Sequence, residues 1–131
     1  MNYLLDTDTC VLALRHHAGV LGRLKALSPD DVAVTSMTEA ELWYGARQSR
    51  DPAGSRKSVA AFLEPIIRLP FDSETAQRHA ELHSSSGAHR LGEQDLIIAS
   101  VAVTHRIPLV TRNREFALVA GLVLEDWTTP G

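Results

Sequence analysis

Residues 95–111 read DLIIASVAVTHRIPLVT, and this stretch decides the fold. From residue 96 to residue 103 the run is apolar on every side. A helix of that composition has no polar face to offer water, so it belongs between a sheet and its neighbouring helices. Ile107-Pro108 ends the helix, because proline lacks the backbone donor and restricts the residue before it. Residues 109–111 then read as a strand. A buried helix feeding a short apolar strand is the repeating unit of an α/β protein with a parallel sheet.

Outward from this stretch the alternation continues. Residues 2–6 read as a first strand, too short and too continuously apolar for a surface helix. Thr7-Asp8-Thr9 offers N-cap side chains for a helix through about Leu14. A second short helix is predicted from near Val20 to Leu27, stopped by Ser28-Pro29. The β-branched segment Val32–Thr35 is the second strand, and Ser36 or Thr38 can cap the next helix, which carries Glu39, Glu41, Trp43 and Tyr44. Asp51-Pro52 starts another helix that ends before Pro65. A third strand is predicted over residues 66–69, a polar-faced helix over residues 73–85, a loop over 86–92 and a short fifth strand over 123–125.

The chain has 131 residues, 44% apolar and 22% charged, with no repeats or linkers, so a single domain over residues 1–131 is expected. The lone Cys10 cannot form an internal disulfide, which fits a reducing compartment. Asp6 and Asp8 interrupt the first hydrophobic stretch, against a signal peptide. No apolar run approaches the roughly 20 residues that span a bilayer. The expectation is a cytoplasmic protein with no membrane association. Net charge is −3 with histidines neutral, an awkward value for a nucleic-acid binder, which usually carries a basic footprint.

Three separated carboxylates stand out. Asp6 follows the first strand, where the bland role is a helix cap. On the next helix, at about 100° per residue, Met37, Ala40, Glu41 and Tyr44 share a stripe while Glu39 points about 160° away from Glu41. Glu39 therefore reads as a solvated acid that complements the helix dipole. Glu41, with apolar neighbours, would be costly if unpaired; a metal or an arginine partner removes that cost. Asp95 opens the most hydrophobic helix of the chain, whose N-terminus should point from the core into a cleft. Ligands of open parallel sheets bind beyond the carboxyl ends of the strands, where these positions could converge.

In order and spacing, Leu4-Leu5-Asp6-Thr7-Asp8, Glu41-Leu42-Trp43-Tyr44-Gly45, Gly92-Glu93-Gln94-Asp95-Leu96-Ile97-Ile98-Ala99 and Leu109-Val110-Thr111-Arg112-Asn113-Arg114-Glu115-Phe116 resemble the PIN domain. The likeness is strongest to the VapC-type toxins of bacterial toxin–antitoxin pairs, and it extends to Gly121-Leu122 and Glu125-Asp126-Trp127 at the end. The resemblance implies a three-layer α/β/α sandwich over a short, mainly parallel sheet. It implies an endoribonuclease that hydrolyses RNA phosphodiester bonds by metal-activated water, leaving a 5′-phosphate and a 3′-hydroxyl. Its catalytic and metal-binding acids fall on Asp6, Glu41 and Asp95. The fourth, often acidic, position falls on Asn113, which supplies an oxygen without charge, and Glu115 is a candidate substitute. Thr111 could orient a carboxylate or a water. Asp8 reads as an outer ligand or as a cap.

Clustered carboxylates repel one another and raise at least one pKa. Oxygen-only ligands favour Mg²⁺, with Mn²⁺ the alternative, over Zn²⁺. His79 and His83 lie four apart on a polar helix but lack a third ligand or a metalloprotease motif. Arg47, Arg50, Arg56 and Lys57 form one candidate basic rim for RNA, and Arg112 and Arg114 another; ordinary surface solubility is the competing account. The resemblance further implies a VapB-like antitoxin that covers the groove, and a homodimer or a higher toxin–antitoxin assembly. Trp43, Tyr44 and Phe62 could serve such interfaces, although core packing is the commoner fate of such residues. Two other readings compete. A phosphorelay receiver would need a lysine after a late strand, and the two lysines, Lys25 and Lys57, are elsewhere. A catalytically impaired PIN-like module that binds RNA or protein is kept open by Asn113.

Overall fold

The computed structural model describes residues 1–85, 87 and 90–129. Among them lie five strands and six α-helices. In chain order these are β1 (Tyr3–Leu5), α1 (Thr7–Leu14), α2 (Ala18–Lys25), β2 (Val32–Thr35), α3 (Ser36–Arg47) and α4 (Pro52–Leu63). They continue with β3 (Ile67–Leu69), α5 (Ser73–His83), α6 (Glu93–His105), β4 (Leu109–Val110) and β5 (Leu124–Glu125). The strands form one sheet in the order β3-β2-β1-β4-β5, with every pairing parallel. Leu4 is in register with Ala33 on one side and Leu109 on the other.

The sheet is covered on both faces, as parallel sheets require, and residue alternation sorts its side chains between two cores. Leu4, Ala33 and Leu109 face α5 and α6 with Leu82, Leu96, Ile98 and Phe116. Leu5, Val34 and Val110 face the other layer with Ala13, Leu42, Val59, Leu63 and Trp127. The α/β/α sandwich is thus observed. The helix α6 buries Leu96, Ile98, Ala99, Ser100, Val101 and Ala102. Its hydroxyls are satisfied internally, Ser100 Oγ donating to the Leu96 carbonyl at 2.7 Å and Thr104 Oγ1 to that of Ser100 at 2.7 Å.

Helix starts shift from the expected residues in a consistent way. The strand β1 stops at Leu5, and Asp6 itself caps α1 through Oδ1, which accepts from the Thr9 amide at 2.8 Å. The expected cap in Thr7-Asp8-Thr9 is therefore displaced by one residue. Neither Ser36 nor Thr38 caps α3; Thr35, the last residue of β2, does so, its Oγ1 accepting from the Thr38 amide at 2.9 Å. In both cases at most one residue separates strand from helix, so the cap falls on that residue, Asp6, or on the final strand residue itself, Thr35. The helix α2 begins at Ala18, with His17 Nδ1 accepting from the Val20 amide at 3.3 Å. Of the loop expected over 86–92, Ser86, Ala88 and His89 lie outside the described residues.

Strand order reverses between β1 and β4. The chain steps from β1 to β2 and β3 in one direction, then crosses to β4 and β5 in the other. Diverging connections open a crevice at the carboxyl ends of these two strands. Asp6 and Thr111 stand there, one residue past β1 and β4 respectively.

Candidate active site

Asp6 is only 4% exposed. Both of its carboxylate oxygens are engaged: Oδ1 by the Thr9 amide, and Oδ2 by Thr111 Oγ1, which donates to it at 2.5 Å. Thr111 Oγ1 in turn accepts from the Asn113 amide at 3.0 Å, which fixes the direction of its proton. Burial pushes the Asp6 carboxyl above the ordinary aspartate range, against the opposing pull of the Thr111 and Thr9 hydrogen bonds. The charge of Asp8 pushes in the same direction as burial.

Glu41 lies half-buried on α3 and is gripped from α1. Thr7 Oγ1 donates to Glu41 Oε1 at 2.6 Å and lies 3.0 Å from Thr38 Oγ1. A hydroxyl has one proton to give. Thr7 spends its proton on Glu41, so Thr38 donates to Thr7, and a relay of two threonines holds the carboxylate. The expected stripe of Met37, Ala40, Glu41 and Tyr44 is not a core face. Tyr44 is 65% exposed and Ala40 is exposed, while Thr38, Leu42 and Ala46 form the buried stripe. Glu41 borders that stripe and needs no arginine partner. Glu39 is not simply solvated either: it is half-buried, with Oε2 3.7 Å from the Arg68 guanidinium.

Asp95 is half-buried in the first turn of α6. Its carboxyl is raised first by burial, then by the charges of Asp6, Glu41 and Glu115. These four acids therefore share one field, although they come from four separate segments. Cys10, fully buried in the adjoining core, feels the same field: burial first, then Asp6 and Glu41, pushes its thiol far up.

Asn113 has a local duty. Its Oδ1 accepts from the Glu115 amide at 3.0 Å and caps the 3₁₀ turn Arg114–Leu118. Glu115 is exposed in that turn, and its charge reaches Asp95. Asp8 is neither a cap nor part of the buried set. Its carboxylate holds the Arg112 guanidinium, with Nε 2.7 Å from Oδ2 and Nη2 3.4 Å from Oδ1. Arg47, Arg50, Arg56 and Lys57 are exposed, as is Arg114. Trp43 and Phe62 pack against the α1–α4 core, whereas Tyr44 projects from it.

An open groove of about 590 Å³ runs between α1, α3 and α4, walled by Val11, Leu14, Leu42, Ala46 and Val59 and reaching Glu41. Sequence reasoning missed Thr7 and Thr38, whose hydroxyls orient Glu41, and the Thr9 amide that orients Asp6. Their signal was present as threonines two to four residues past the ends of β1 and β2.

A hard divalent cation suits this donor set in charge and in chemistry: all ligands are oxygens, and two are carboxyls destabilised by burial and by neighbouring negative charge. Among the described residues, no three Asp, Glu, His or Cys side chains are already gathered closely enough to hold an ion. A cation would draw the acids together, and their repulsion opposes this until it binds.

The PIN domain family matches residues 3–122. The chain is 32% identical to Ribonuclease VapC2 of Rickettsia felis, an alignment covering 97% of this chain and 98% of that protein. It is 30% identical to the tRNA(fMet)-specific endonuclease VapC of Salmonella typhimurium, covering 97% and 98%. The crystal structure of VapBC2 from Rickettsia felis bound to a DNA fragment from their promoter superposes with a TM-score of 0.87. That match is at 30% identity and covers 97% of this chain and 99% of that one. DNA-bound VapBC from Salmonella typhimurium gives a TM-score of 0.90 at 27% identity, covering 97% and 98%.

Proposed function

The chain belongs to the PIN domain family, and from that premise we propose that it is a divalent-metal-dependent endoribonuclease, the toxin of a VapBC-type toxin–antitoxin pair. The observation that carries this reading is the buried Asp6 carboxylate, held by Thr111 at the carboxyl ends of β1 and β4 where strand order reverses, with Glu41 fixed by Thr7 and with Asp95 feeling the charge of both acids. Asp6, Glu41 and Asp95 would hold Mg²⁺ or Mn²⁺. When bound, such an ion lowers the pKa of water and offsets charge on the phosphodiester and its leaving oxygen.

The protein's own part is orientation. The Thr9 amide and Thr111 hydroxyl keep Asp6 aimed into the crevice, and the Thr38–Thr7 relay does the same for Glu41. Products with a 5′-phosphate and a 3′-hydroxyl are the outcome of this chemistry, carried out by one domain over residues 1–131. A VapB-like antitoxin is the regulatory partner, and the groove reaching Glu41 is the surface it would cover. Homodimerisation is part of the same reading. Among the described residues no helix is long and apolar enough to cross a membrane; a cytoplasmic setting is proposed.

The test incubates purified protein with structured RNAs in Mg²⁺, Mn²⁺ or EDTA, beside Asp6→Asn and Asp95→Asn. Cleavage should require the ion and fall by more than about 100-fold in each variant, at or beyond the loss typical of disturbing a metal site's supporting residues. Cleavage indifferent to EDTA and to both substitutions refutes the mechanism. A folded protein that binds RNA or an antitoxin yet cleaves nothing establishes the binding-module alternative.

A further inference from the structure

Beside the acidic crevice, at the carboxyl ends of β4 and β5, lies a smaller cleft of about 180 Å³ lined by Thr111, Arg112, Asn113, Arg114, Glu125 and Asp126 along with Leu124. Its wall is shared with the site, because Thr111 both lines the cleft and holds Asp6. Arg112 therefore adjoins the residue that holds Asp6, and Arg114 adjoins Glu115, in a chain whose net charge is −3.

The negative groups of the cleft are held in place by their own neighbours, although the Asp126 charge also acts on Arg112 and Arg114. Asp126 Oδ1 accepts from the Thr128 hydroxyl at 2.5 Å and from its amide at 2.8 Å. Glu125 Oε1 accepts from Trp127 Nε1 at 3.1 Å and lies 3.8 Å from Arg23. Arg112 is different. Its guanidinium is hydrogen-bonded to Asp8, reached from α1, with the charge of Asp126 acting from further off, and the pair is half exposed, with side-chain accessibilities of 51% and 47%. Solvent screens such a pair, so it is held weakly. The fork that Arg112 presents to the two oxygens of a carboxylate is the same fork that binds two oxygens of a phosphate.

The geometry points to this cleft as the seat of an RNA backbone phosphate, with Arg112 as the exchangeable contact that Asp8 holds until RNA arrives. Binding swaps one bidentate oxyanion for another and leaves the fold untouched. The inference rests on the ribonuclease reading and specifies where the substrate's backbone is gripped. It also accounts for an acidic protein engaging a polyanion: the needed cations are local and latched rather than spread over the surface.

The experiment measures fluorescence anisotropy of a short fluorescein-labelled single-stranded oligoribonucleotide with the full chain in EDTA, across a KCl series. Wild type is compared with Arg112→Gln, Asp8→Asn and the double variant, each checked by thermal melting. Arg112→Gln should weaken binding by about 10-fold and flatten the log–log salt dependence by about 0.7, the loss of one phosphate contact. Asp8→Asn should tighten binding by about 3-fold or more, by freeing Arg112 from its competitor. On the Arg112→Gln background the same Asp8→Asn change should do almost nothing.

If Asp8→Asn tightens binding equally on both backgrounds, it acts as bulk charge and the latch is refuted. If Arg112→Gln keeps wild-type affinity and slope in a protein that cleaves RNA, the inference falls while the ribonuclease reading stands. A protein that neither binds nor cleaves RNA removes both.

Discussion

Asp6 holds two positions at once, cap of α1 and member of the acidic field. Reading the sequence, these were competing roles for one residue. The structure gives one carboxylate oxygen to the Thr9 amide and the other to Thr111, so the cap bond is also what orients the acid. This arrangement has a cost that can be measured. The carboxyls of Asp6 and Asp95 both sit above the ordinary aspartate value of 3.8 in the folded protein. A carboxyl raised on folding contributes stability below its unfolded pKa and loses it as pH climbs through the folded value. In the metal-free protein the contribution of these two carboxyls should therefore fall as pH rises above about 4, opposite in sign to that of Asp72 and Asp126, whose carboxyls are held low by their hydrogen bonds to Thr75 and Thr128. In EDTA at neutral pH, Asp6→Asn, which retains capping ability, should melt higher than wild type, and the gap should close at acidic pH. Melting curves in which wild type is the more stable at neutral pH would contradict the assigned burial cost.

At the scale of elements, the identity of each helix and strand was legible because the chain alternates short apolar runs with amphipathic segments. The uniformly apolar run over residues 96–103 became the buried helix α6, and proline at 108 marked its end. Helix starts were not legible to the residue. Strand and helix are separated by one residue at 5–7 and abut directly at 35–36, so Asp6 and Thr35 take the caps that composition assigned further along. The angular argument on α3 separated Glu41 from Glu39 but misjudged the surroundings of Glu41. Only the packing of α1 against α3 brings Thr7 to it, a contact between residues 34 apart in the chain. Thr7→Val removes that hydroxyl while nearly preserving its volume. It should lower cleavage by about 10- to 100-fold, as loss of an orienting partner does at metal sites, with melting temperature little changed. Cleavage at the wild-type rate would show that Glu41 needs no support from α1.

Across the whole molecule, the convergence of the acids depends on topology. Thr111 and Asp6 are 105 residues apart and meet because β1 and β4 are parallel neighbours where strand order reverses. Family resemblance could anticipate that meeting; composition and periodicity could not. Nor did the sequence signal the Asp8–Arg112 pair, whose partners are exposed residues on separate segments. The C-terminal segment closes the same layer. Trp127 is buried there and packs edge-on against Tyr3 with ring centroids 5.3 Å apart. A Cβ on Gly19 would lie 2.7 Å from the Trp127 carbonyl oxygen, so α2 approaches this segment only because residue 19 has no side chain. Gly19→Ala should cost about 1–3 kcal/mol in urea unfolding, the usual range for overpacking. A neutral effect would mean that the C-terminal segment shifts freely.

The chain's one thiol gives this architecture a built-in clock. Cys10 is at 0% exposure, within the electrostatic reach of Asp6 and Glu41, and its thiol is pushed far from ionisation. A thiol reagent must wait for α1 to lift from the sheet before it can react. Labelling of this single atom therefore times the opening of the floor of the crevice. Anything that pins the acids from within lengthens that interval, whereas a partner confined to the outer rim leaves it unchanged.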